Sequence, residues 1–214
     1  MPSLKDIRGR IRSVKSTQQT TKAMKMVAAS KLRRAQEAIT RFRPYSDKLD
    51  KLADMLVRGD IESPYVEQRP VEKVLLVVIT SNRGLAGAFN NSIAKLVQNA
   101  IAQEFQTQQD QGDLAIMALG KKGYEYFKKR GYRMVDNKNH DVFAQMSFEE
   151  IGDLAERIMH EYVEGDWDRV VIFYNEFVNA AVQNRVQHTL LPLTLNEAVA
   201  EEEQQEAPQH IEYL

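Results

Sequence analysis

The stretch TSNRGLAGAFN, residues 80–90, has the residue types and spacing that come nearest to a ligand-binding site in this chain. It follows the apolar run KVLLVVI and precedes a segment with helical spacing. A strand, a glycine-rich turn and a helix form the phosphate cradles of α/β proteins. Gly84 and Gly87 are spaced G-x-x-G, which lacks the third glycine of the dinucleotide fingerprint, and no Gly-Lys-Ser/Thr follows for a triphosphate. The pattern indicates either a phosphate site or a tight turn between a strand and a helix.

The sequence contains no second motif in which histidine, serine or cysteine is spaced for catalysis or metal binding. His160 and Glu161 begin the zinc-protease spacing, but Glu164 stands where that motif needs a second histidine. No serine lies in a G-x-S-x-G motif. Because the chain has no cysteine, it has no disulfide, thiolate metal site or cysteine nucleophile. The sequence predicts neither catalytic residues nor a cofactor.

Charge divides the chain more sharply than its net charge of −1 suggests. Residues 1–43 carry twelve Lys and Arg against Asp6 and Glu37, so the remainder is acidic. Such an asymmetry is typical of a segment that meets an oppositely charged partner, although a solvated basic face would produce it too. With no apolar run of 18 residues and no secretory h-region at the N-terminus, we expect a soluble interior compartment.

A helical pattern runs from Ser3 to about Arg58, and Pro44 is the only break inside it. Alternating steps of three and four residues from Leu4 select sixteen positions, of which twelve are apolar. Their period predicts a left-handed coiled coil, and a helix of this length would measure about 80 Å. We expect it to project from any compact domain and to pair with another helix. Ser3 and Asp6 should cap its start, and Pro44 should bend or restart it.

The seam formed by these sixteen positions weakens in its middle, at Gln18, Thr21 and Lys25. Methionine and small side chains are frequent there, in the run STQQTTKAMKMVAASKLRRAQ. A polar layer that sets coiled-coil register explains this composition, and so does a surface that meets more than one environment.

The second half of the sequence alternates strand and helix patterns, which predicts an α/β fold class. We expect strands at KVLLVVIT (73–80), DLAIMALG (113–120), RVVIFYNEF (169–177) and VQNRVQHTLLPL (182–193), the last two as a hairpin. The intervening patterns predict helices over 89–105, over 121–131 and from Ser147, with Glu150 completing a capping box. The predicted architecture is a long N-terminal coiled-coil helix followed by a three-layer, Rossmann-like α/β/α domain with a mostly parallel sheet. Four segments follow: the basic helix over 1–60, a linker over 61–72, the α/β domain over 73–195 and an acidic tail over 196–214.

Three stretches together resemble one known family. SLKDIRGRIRSVKSTQQTTKAMKMVAASKLRRAQ is similar to the N-terminal helix of the gamma subunit of the F-type ATP synthase. TSNRGLAGAFN resembles the strand-to-helix loop of that family, and RVVIFYNEFVNAAVQ resembles its late strand. The match runs in order across nearly all 214 residues, and the first stretch alone is highly specific.

This resemblance implies a non-catalytic central stalk, a rotor inside a hexamer of alternating alpha and beta subunits. A proton-driven membrane ring would turn the chain, which would force the three beta-subunit sites through different affinities. The implied partners are the hexamer, the epsilon subunit and the ring, with no nucleic acid and with membrane attachment only through the ring. The implied location is the cytoplasmic face of the bacterial inner membrane, as a peripheral part of the synthase.

The resemblance also carries over candidate contact residues. Those expected near an acidic segment of the beta subunits are Lys22, Met24, Lys25, Lys31, Arg33, Arg34, Arg83 and Leu85. Glu212 and Tyr213 are expected at the foot that meets the ring and the epsilon subunit. The turn at Gly84 and Gly87 would then be structural and would bind no nucleotide.

The family ends in a second long helix that pairs with the first, and none follows HIEYL here. We therefore expect a shortened or fragmentary chain, or a partner helix from another chain, and a seam that self-associates or frays. Two other functions stay open on the residues alone: a nucleic-acid-binding protein that uses the basic helix, and a nucleotide-dependent α/β enzyme. The basic run lacks interleaved aromatic residues, which counts against the first of these.

Overall fold

The computed structural model describes residues 3–58, 62–135, 147–179 and 181–194. The elements within these ranges, in chain order, are α1 Leu4–Arg58, β1 Val74–Ile79, α2 Phe89–Glu104, α3 Gln106–Gln111, β2 Leu114–Leu119, α4 Lys121–Lys128, α5 Phe148–Val163, β3 Arg169–Phe177 and β4 Gln183–Leu191. The chain divides into two compact units, Met1–Met55 and Leu56–Leu214.

The first unit is formed by α1, a single helix that continues to Arg58 over 55 residues. Its predicted cap is confirmed: the Asp6 amide donates to Ser3 Oγ at 3.3 Å, and the Ser3 amide donates to Asp6 Oδ2 at 3.1 Å. Pro44 lies inside the helix, which continues to Arg58 without a restart, and a bend at Pro44 stays a prediction. Proline removes one backbone donor, and the helix continues through this single loss.

The apolar seam of α1 is exposed over most of its length. Its large side chains that are more than 40% exposed are Leu4, Ile7, Ile11, Val14, Leu32, Phe42, Leu49 and Leu56. Most of the stability of a protein helix comes from burying an apolar face, so this helix needs a partner surface along its seam. The coiled coil itself stays a prediction.

The second unit contains one mixed sheet of four strands in the order β2-β1-β3-β4. β1 pairs in parallel with β2 and with β3, and β3 pairs antiparallel with β4 as the predicted hairpin. The prediction of an α/β fold with a mostly parallel sheet is confirmed. Because β1 lies between two strands with both faces covered, its sequence is a continuous apolar run.

Two hydrophobic cores lie on the two faces of this sheet, because successive side chains of a strand point in opposite directions. Val74, Leu76 and Val78 of β1 pack in one core with buried residues of α2 and α4. Leu75 and Val77 pack in the other core with buried residues of α5. The sheet is therefore covered by helices on both faces.

The helices begin and end within a few residues of their predicted bounds, with one addition. α3 has the sequence QTQQDQ, whose lack of apolar residues leaves no periodicity from which to predict a helix. α5 begins after Ser147, whose Oγ accepts the Glu150 amide at 3.1 Å as expected for the cap. The predicted acidic tail lies outside the described residues. None of the described helices combines the length and apolarity of a membrane span.

Arg69 attaches the segment before β1 to the amino ends of the strands. Its guanidinium pairs with Asp168 at 3.3 Å, donates to the carbonyls of Tyr162 and Trp167, and stacks 4.4 Å from the centroid of the Tyr162 ring. Burial raises the pKa of Tyr162, and its hydroxyl donates to the Glu67 carbonyl at 3.3 Å. Residues for which the sequence predicts a linker are thereby held against the sheet.

Gly120 lies where the end of β2 meets α4, with φ +118°, and a Cβ there would lie 2.2 Å from the Thr80 carbonyl oxygen. We expect Gly120→Ala to lower the free energy of unfolding by roughly 3 kcal/mol or more, because left-handed strain and overpacking against backbone add. Gly131 is the matched control, since its φ is +80° but no atom lies within 4 Å of an added Cβ. Gly131→Ala should cost only about 1–2 kcal/mol. Urea unfolding compares the two variants, and equal losses would contradict the close approach of Thr80 and Gly120.

Candidate functional site

The glycine turn, residues 80–88, begins in the protein interior at the carboxyl end of β1. Thr80 is only 3% exposed, and its amide donates to the Leu119 carbonyl at 2.8 Å. The Thr80 hydroxyl donates to the Gly120 carbonyl at 3.2 Å and accepts the Gly123 amide at 2.8 Å. The start of the turn is therefore attached to both β2 and the first residues of α4.

The next two residues of the turn cap α4. Asn82 Oδ1 accepts the Lys121 amide at 3.0 Å, and the Ser81 carbonyl accepts the Lys122 amide at 3.1 Å. The first amides of a helix have no acceptor inside the helix, so these bonds satisfy donors that would otherwise stay unpaired. The turn and α4 consequently depend on each other for their local structure.

Asn90, in the first turn of α2, holds the turn from its other side. Asn90 Oδ1 accepts the Ser81 amide at 2.9 Å, and Asn90 Nδ2 donates to Ser81 Oγ at 2.8 Å. Ser81 Oγ in turn donates to the Arg83 carbonyl at 2.7 Å. With both ends held, residues 83–88 form an exposed loop on a rigid base.

Leu85 is the most unusual residue of this loop. Its side chain is fully exposed, at 109% of the reference area, and its φ is +62°. A left-handed conformation costs a non-glycine residue about 1–2 kcal/mol, and such strain often marks a functional position. Of the two glycines, only Gly87 has a positive φ, +57°. The loop therefore presents a large apolar side chain to water on a strained backbone.

An open groove of about 520 Å³ lies beside the loop, at the carboxyl ends of β1 and β3. Its lining residues are Ala86, Ala88, Phe89, Ser92, Asn175, Ala181, Gln183 and Arg185. Arg185 is the titratable group among the described residues of that lining, and because a guanidinium stays protonated in proteins, these residues offer no general acid or base. Over the part of the chain that the structure describes, no three His, Cys, Asp or Glu side chains are grouped to hold a metal ion.

The His160–Glu161 pair, which resembles the start of a zinc-protease motif, has a structural arrangement. Glu161 Oε2 accepts the indole N–H of Trp167 at 2.8 Å, and Glu161 also pairs with Arg157 at 3.6 Å. His160 is exposed in the last turn of α5, where its carbonyl accepts the Glu164 amide. The pair holds the end of α5 against the Trp167 side chain.

The candidate contact residues belong to two separate units of the chain. Those on α1 are all exposed: Lys22, Met24, Lys25, Lys31, Arg33 and Arg34. Of these, Arg33 pairs with Glu37 on the same helix at 2.8 Å. Arg83 and Leu85 are exposed in the loop, and Glu212 and Tyr213 lie outside the described residues. Contact of any of them with a partner stays a proposal.

The residues that position the loop are absent from the candidates that the sequence suggests. The sequence gives no motif that would single out Thr80, Asn82 or Asn90, because each is an isolated Thr or Asn. One local signal exists, since small polar side chains directly after a buried strand often cap or turn the chain. The partners of Thr80 and Asn82, at Gly120 and Lys121, lie some forty residues away in the sequence, whereas Asn90 bonds Ser81, nine residues away.

We expect Asn90→Ala to loosen the loop without unfolding the α/β unit. Loss of its hydrogen bonds leaves the half-buried Ser81 amide unsatisfied, which costs about 1–3 kcal/mol. Amide hydrogen exchange should therefore speed up at residues 81–88 and stay slow in β1. Asn91→Ala, at the exposed neighbouring position, is the control and should leave exchange unchanged. Equal exchange in both variants would mean that Asn90 does not hold the loop.

Proteins with similar sequences belong to one family, and a solved structure has a similar fold. The family model described as ATP synthase matches residues 3–214. The chain is 42% identical over 205 residues to the ATP synthase gamma chain of Chlorobium chlorochromatii, an alignment that covers 94% of this chain and 70% of the relative. It is 43% identical over 197 residues to the ATP synthase gamma chain of Chlorobaculum tepidum, with coverage of 91% and 67%.

Its fold is similar to that of a chain in the cryo-EM structure of the Tetrahymena thermophila mitochondrial ATP synthase central stalk and c-ring. The TM-score is 0.57 at 23% identity, over 81% of this chain and 72% of that chain. The sequence identity to the two relatives, together with a family match across almost the whole length, shows that the chain belongs to the ATP synthase gamma chain family.

Proposed function

We propose that this chain is the central-stalk rotor of a proton-translocating F-type ATP synthase, which couples rotation of a membrane ring to the beta-subunit catalytic sites. Members of the gamma chain family are structural subunits and not catalysts, which supports this function and gives no support to a nucleotide-dependent enzyme or a nucleic-acid-binding protein. The observation that carries the proposal is the 55-residue helix with an exposed apolar seam, in a chain of this family.

The mechanical part of the proposal assigns α1 to the shaft. A second helix packed along the seam would form a left-handed coiled coil, which supplies bending and torsional stiffness that a single helix lacks. The seam positions from Leu4 to Leu56 provide the apolar contacts for that pairing. The polar stretch at Gln18, Thr21 and Lys25 would be the place where the pairing is weakest.

The contact part of the proposal assigns the exposed cations of α1 and the loop at Leu85 to the beta subunits. An acidic beta-subunit segment would meet Lys22, Lys25 and their neighbours through exposed ion pairs, each worth about 0–1 kcal/mol. Contacts this weak guide the rotor and still release it at every step. The supported base of the loop suits it to transmit force, because a flexible loop would yield under load.

The remaining partners follow from the same proposal. The solved central stalk with similar fold was determined with its c-ring, and we propose a proton-driven ring and an epsilon subunit as partners of this chain. Glu212 and Tyr213 are the residues that we propose for the foot at the ring. The complex would then lie on the cytoplasmic face of a bacterial inner membrane, with this chain as a peripheral subunit.

Affinity purification tests the proposal as a whole. The chain would carry a tag and be expressed together with the alpha, beta, epsilon and ring subunits of its own synthase. We expect it to recover the hexamer and the ring from detergent-solubilised membranes in constant proportion. Recovery of the chain without the hexamer would overturn the rotor assignment.

Reversing three α1 charges, Lys22→Glu, Arg33→Glu and Arg34→Glu together, should weaken binding to the alpha–beta hexamer by roughly 10-fold to 100-fold at low salt. The difference should shrink as salt rises, because exposed charges are screened. The matched control reverses Arg41, Lys48 and Lys51, which lie on the same helix outside the predicted contact. Titration by surface plasmon resonance measures both, and equal weakening would show that only net charge matters.

The substitution Leu85→Gly should change the stability of the chain and its affinity for the hexamer in opposite directions. Glycine relieves the left-handed strain but loses more chain entropy on folding, so the free energy of unfolding should rise by roughly 0.5–1 kcal/mol. Hexamer affinity should fall nonetheless, because the exposed apolar contact is lost. Leu85→Met keeps both the strain and an apolar side chain, so it serves as the control for both measurements. A Leu85→Gly chain that binds the hexamer as tightly as the wild type would remove Leu85 from the contact.

A further inference from the structure

A concentrated positive charge lies on α4 and the residues that follow it. Residues 121–133, KKGYEYFKKRGYR, contain six Lys and Arg and a single acid, Glu125. The whole of residues 56–214 contains fifteen Lys and Arg against twenty-five Asp and Glu. This stretch is therefore a basic island in an acidic part of the chain.

Three cations of this stretch, Lys128, Lys129 and Arg130, form what we name the α4 cluster. All three are exposed, and within the described ranges no carboxylate lies at ion-pair distance from any of them. Glu125 instead pairs with Lys122, at 2.7 Å. The charge of the cluster is consequently available to an anionic partner.

Tyrosine rings hold two of these cations in position. The Arg130 guanidinium lies 3.5 Å from the centroid of the Tyr126 ring and donates to the Tyr126 carbonyl at 3.2 Å. Lys128 Nζ lies 5.0 Å from the centroid of the Tyr124 ring and donates to its hydroxyl at 2.9 Å. Both rings are half-buried with a cation over one face, so they make a poor stacking platform for the bases of a single-stranded nucleic acid.

The α4 cluster lies toward the amino edge of the sheet, opposite the glycine turn. α4 starts at the carboxyl end of β2, and the chain then runs back toward the amino end of β2. After this return, Arg133 donates to the carbonyl of Gly112, the residue just before the segment that leads into β2, at 3.1 Å. Acidic side chains of this edge, Asp113, Glu161 and Asp166, line a cavity together with Arg133. These carboxylates lie beside Arg133 and do not pair with the cluster.

We propose that the α4 cluster contacts an anionic lipid bilayer directly. The direction of this contact rests on the proposed function, since a glycine turn that faces the beta subunits leaves the opposite edge of the sheet toward the membrane ring. Each Lys or Arg near an anionic bilayer surface strengthens binding about fivefold without a defined geometry.

A lipid partner is compatible with a rotating chain at this position. Lipids diffuse in the plane of the bilayer, so a contact with them holds no preferred rotational angle. The direct contact goes beyond the attachment through the ring that the sequence implies.

Vesicle binding with a local probe tests this proposal on the full chain. Because the chain has no cysteine, Glu125→Cys places one environment-sensitive dye beside the cluster. Glu156→Cys is the matched control, with the same change of charge at an exposed position of α5 on the other face of the sheet. Vesicles of phosphatidylcholine with roughly one third phosphatidylglycerol should shift the emission of the dye at position 125 to shorter wavelength. The emission of the dye at position 156 should stay unchanged.

The triple variant Lys128→Gln, Lys129→Gln, Arg130→Gln should weaken the binding reported at position 125 about 100-fold at low salt. The α1 variant Lys5→Gln, Arg8→Gln, Arg12→Gln should keep the shift at position 125, whatever α1 itself binds. Circular dichroism and urea unfolding check that both variants fold. Three outcomes would overturn the proposal: no shift with anionic vesicles, an equal shift with pure phosphatidylcholine, or a shift produced only by an oligothymidylate.

The vesicle test and the hexamer purification fail independently. Hexamer recovery without a shift at position 125 would overturn the lipid contact and leave the rotor assignment standing. A shift at position 125 without hexamer recovery would overturn the rotor assignment, while the bilayer contact would still have been measured.

Discussion

The alternation of side chains along the central strand β1 is the constraint on which the α/β unit depends. Val74, Leu76 and Val78 reach one hydrophobic core, while Leu75 and Val77 reach the other, so neither face of β1 can shift without disturbing a core. The same alternation turns the buried Thr80 side chain to the face on which α4 packs, where its hydroxyl meets Gly120 and Gly123. A strained loop can persist after β1 because its base is fixed in this way.

The residues of this chain suit force transfer better than chemistry. The exposed surface of α1 carries many cations that lie on separate turns of one helix. Among the described residues that line the groove beside the glycine turn, Arg185 is the titratable one. Exposed ion pairs are weak one by one and are screened by salt, so a surface built from them can bind and release repeatedly. For the proposed rotor, weak contacts on a helix stiffened by its proposed pairing and a rigidly supported loop serve the same mechanical purpose.

The two edges of the sheet differ in what they present. The carboxyl edge holds the glycine turn, with Leu85 exposed at its tip and Asn90 supporting its base. The amino edge holds the Arg69 attachment, and α4 leads back toward the same edge. Because a parallel βαβ unit places every strand-to-helix turn at one edge, this polarity follows from the topology itself. The proposed contacts with beta subunits and with lipid use opposite ends of that polarity.

The sequence by itself determined the elements whose signals are local. The seam period predicted α1, the apolar run predicted β1, and Ser147 with Glu150 predicted the start of α5, because periodicity and caps act over a few residues. The resemblance of a few stretches was enough for the family and for the exposed loop at Leu85. The continuity of α1 through Pro44, the separate helix α3 and the hydrogen bonds of Thr80, Asn82 and Asn90 were decided only by the folded structure. The charges of the α4 cluster are visible in the sequence, but packing decides that no carboxylate of the described residues pairs with them and that tyrosine rings support them. Such contacts join residues that are distant in the chain or polar in composition, and no local pattern encodes which of them will meet.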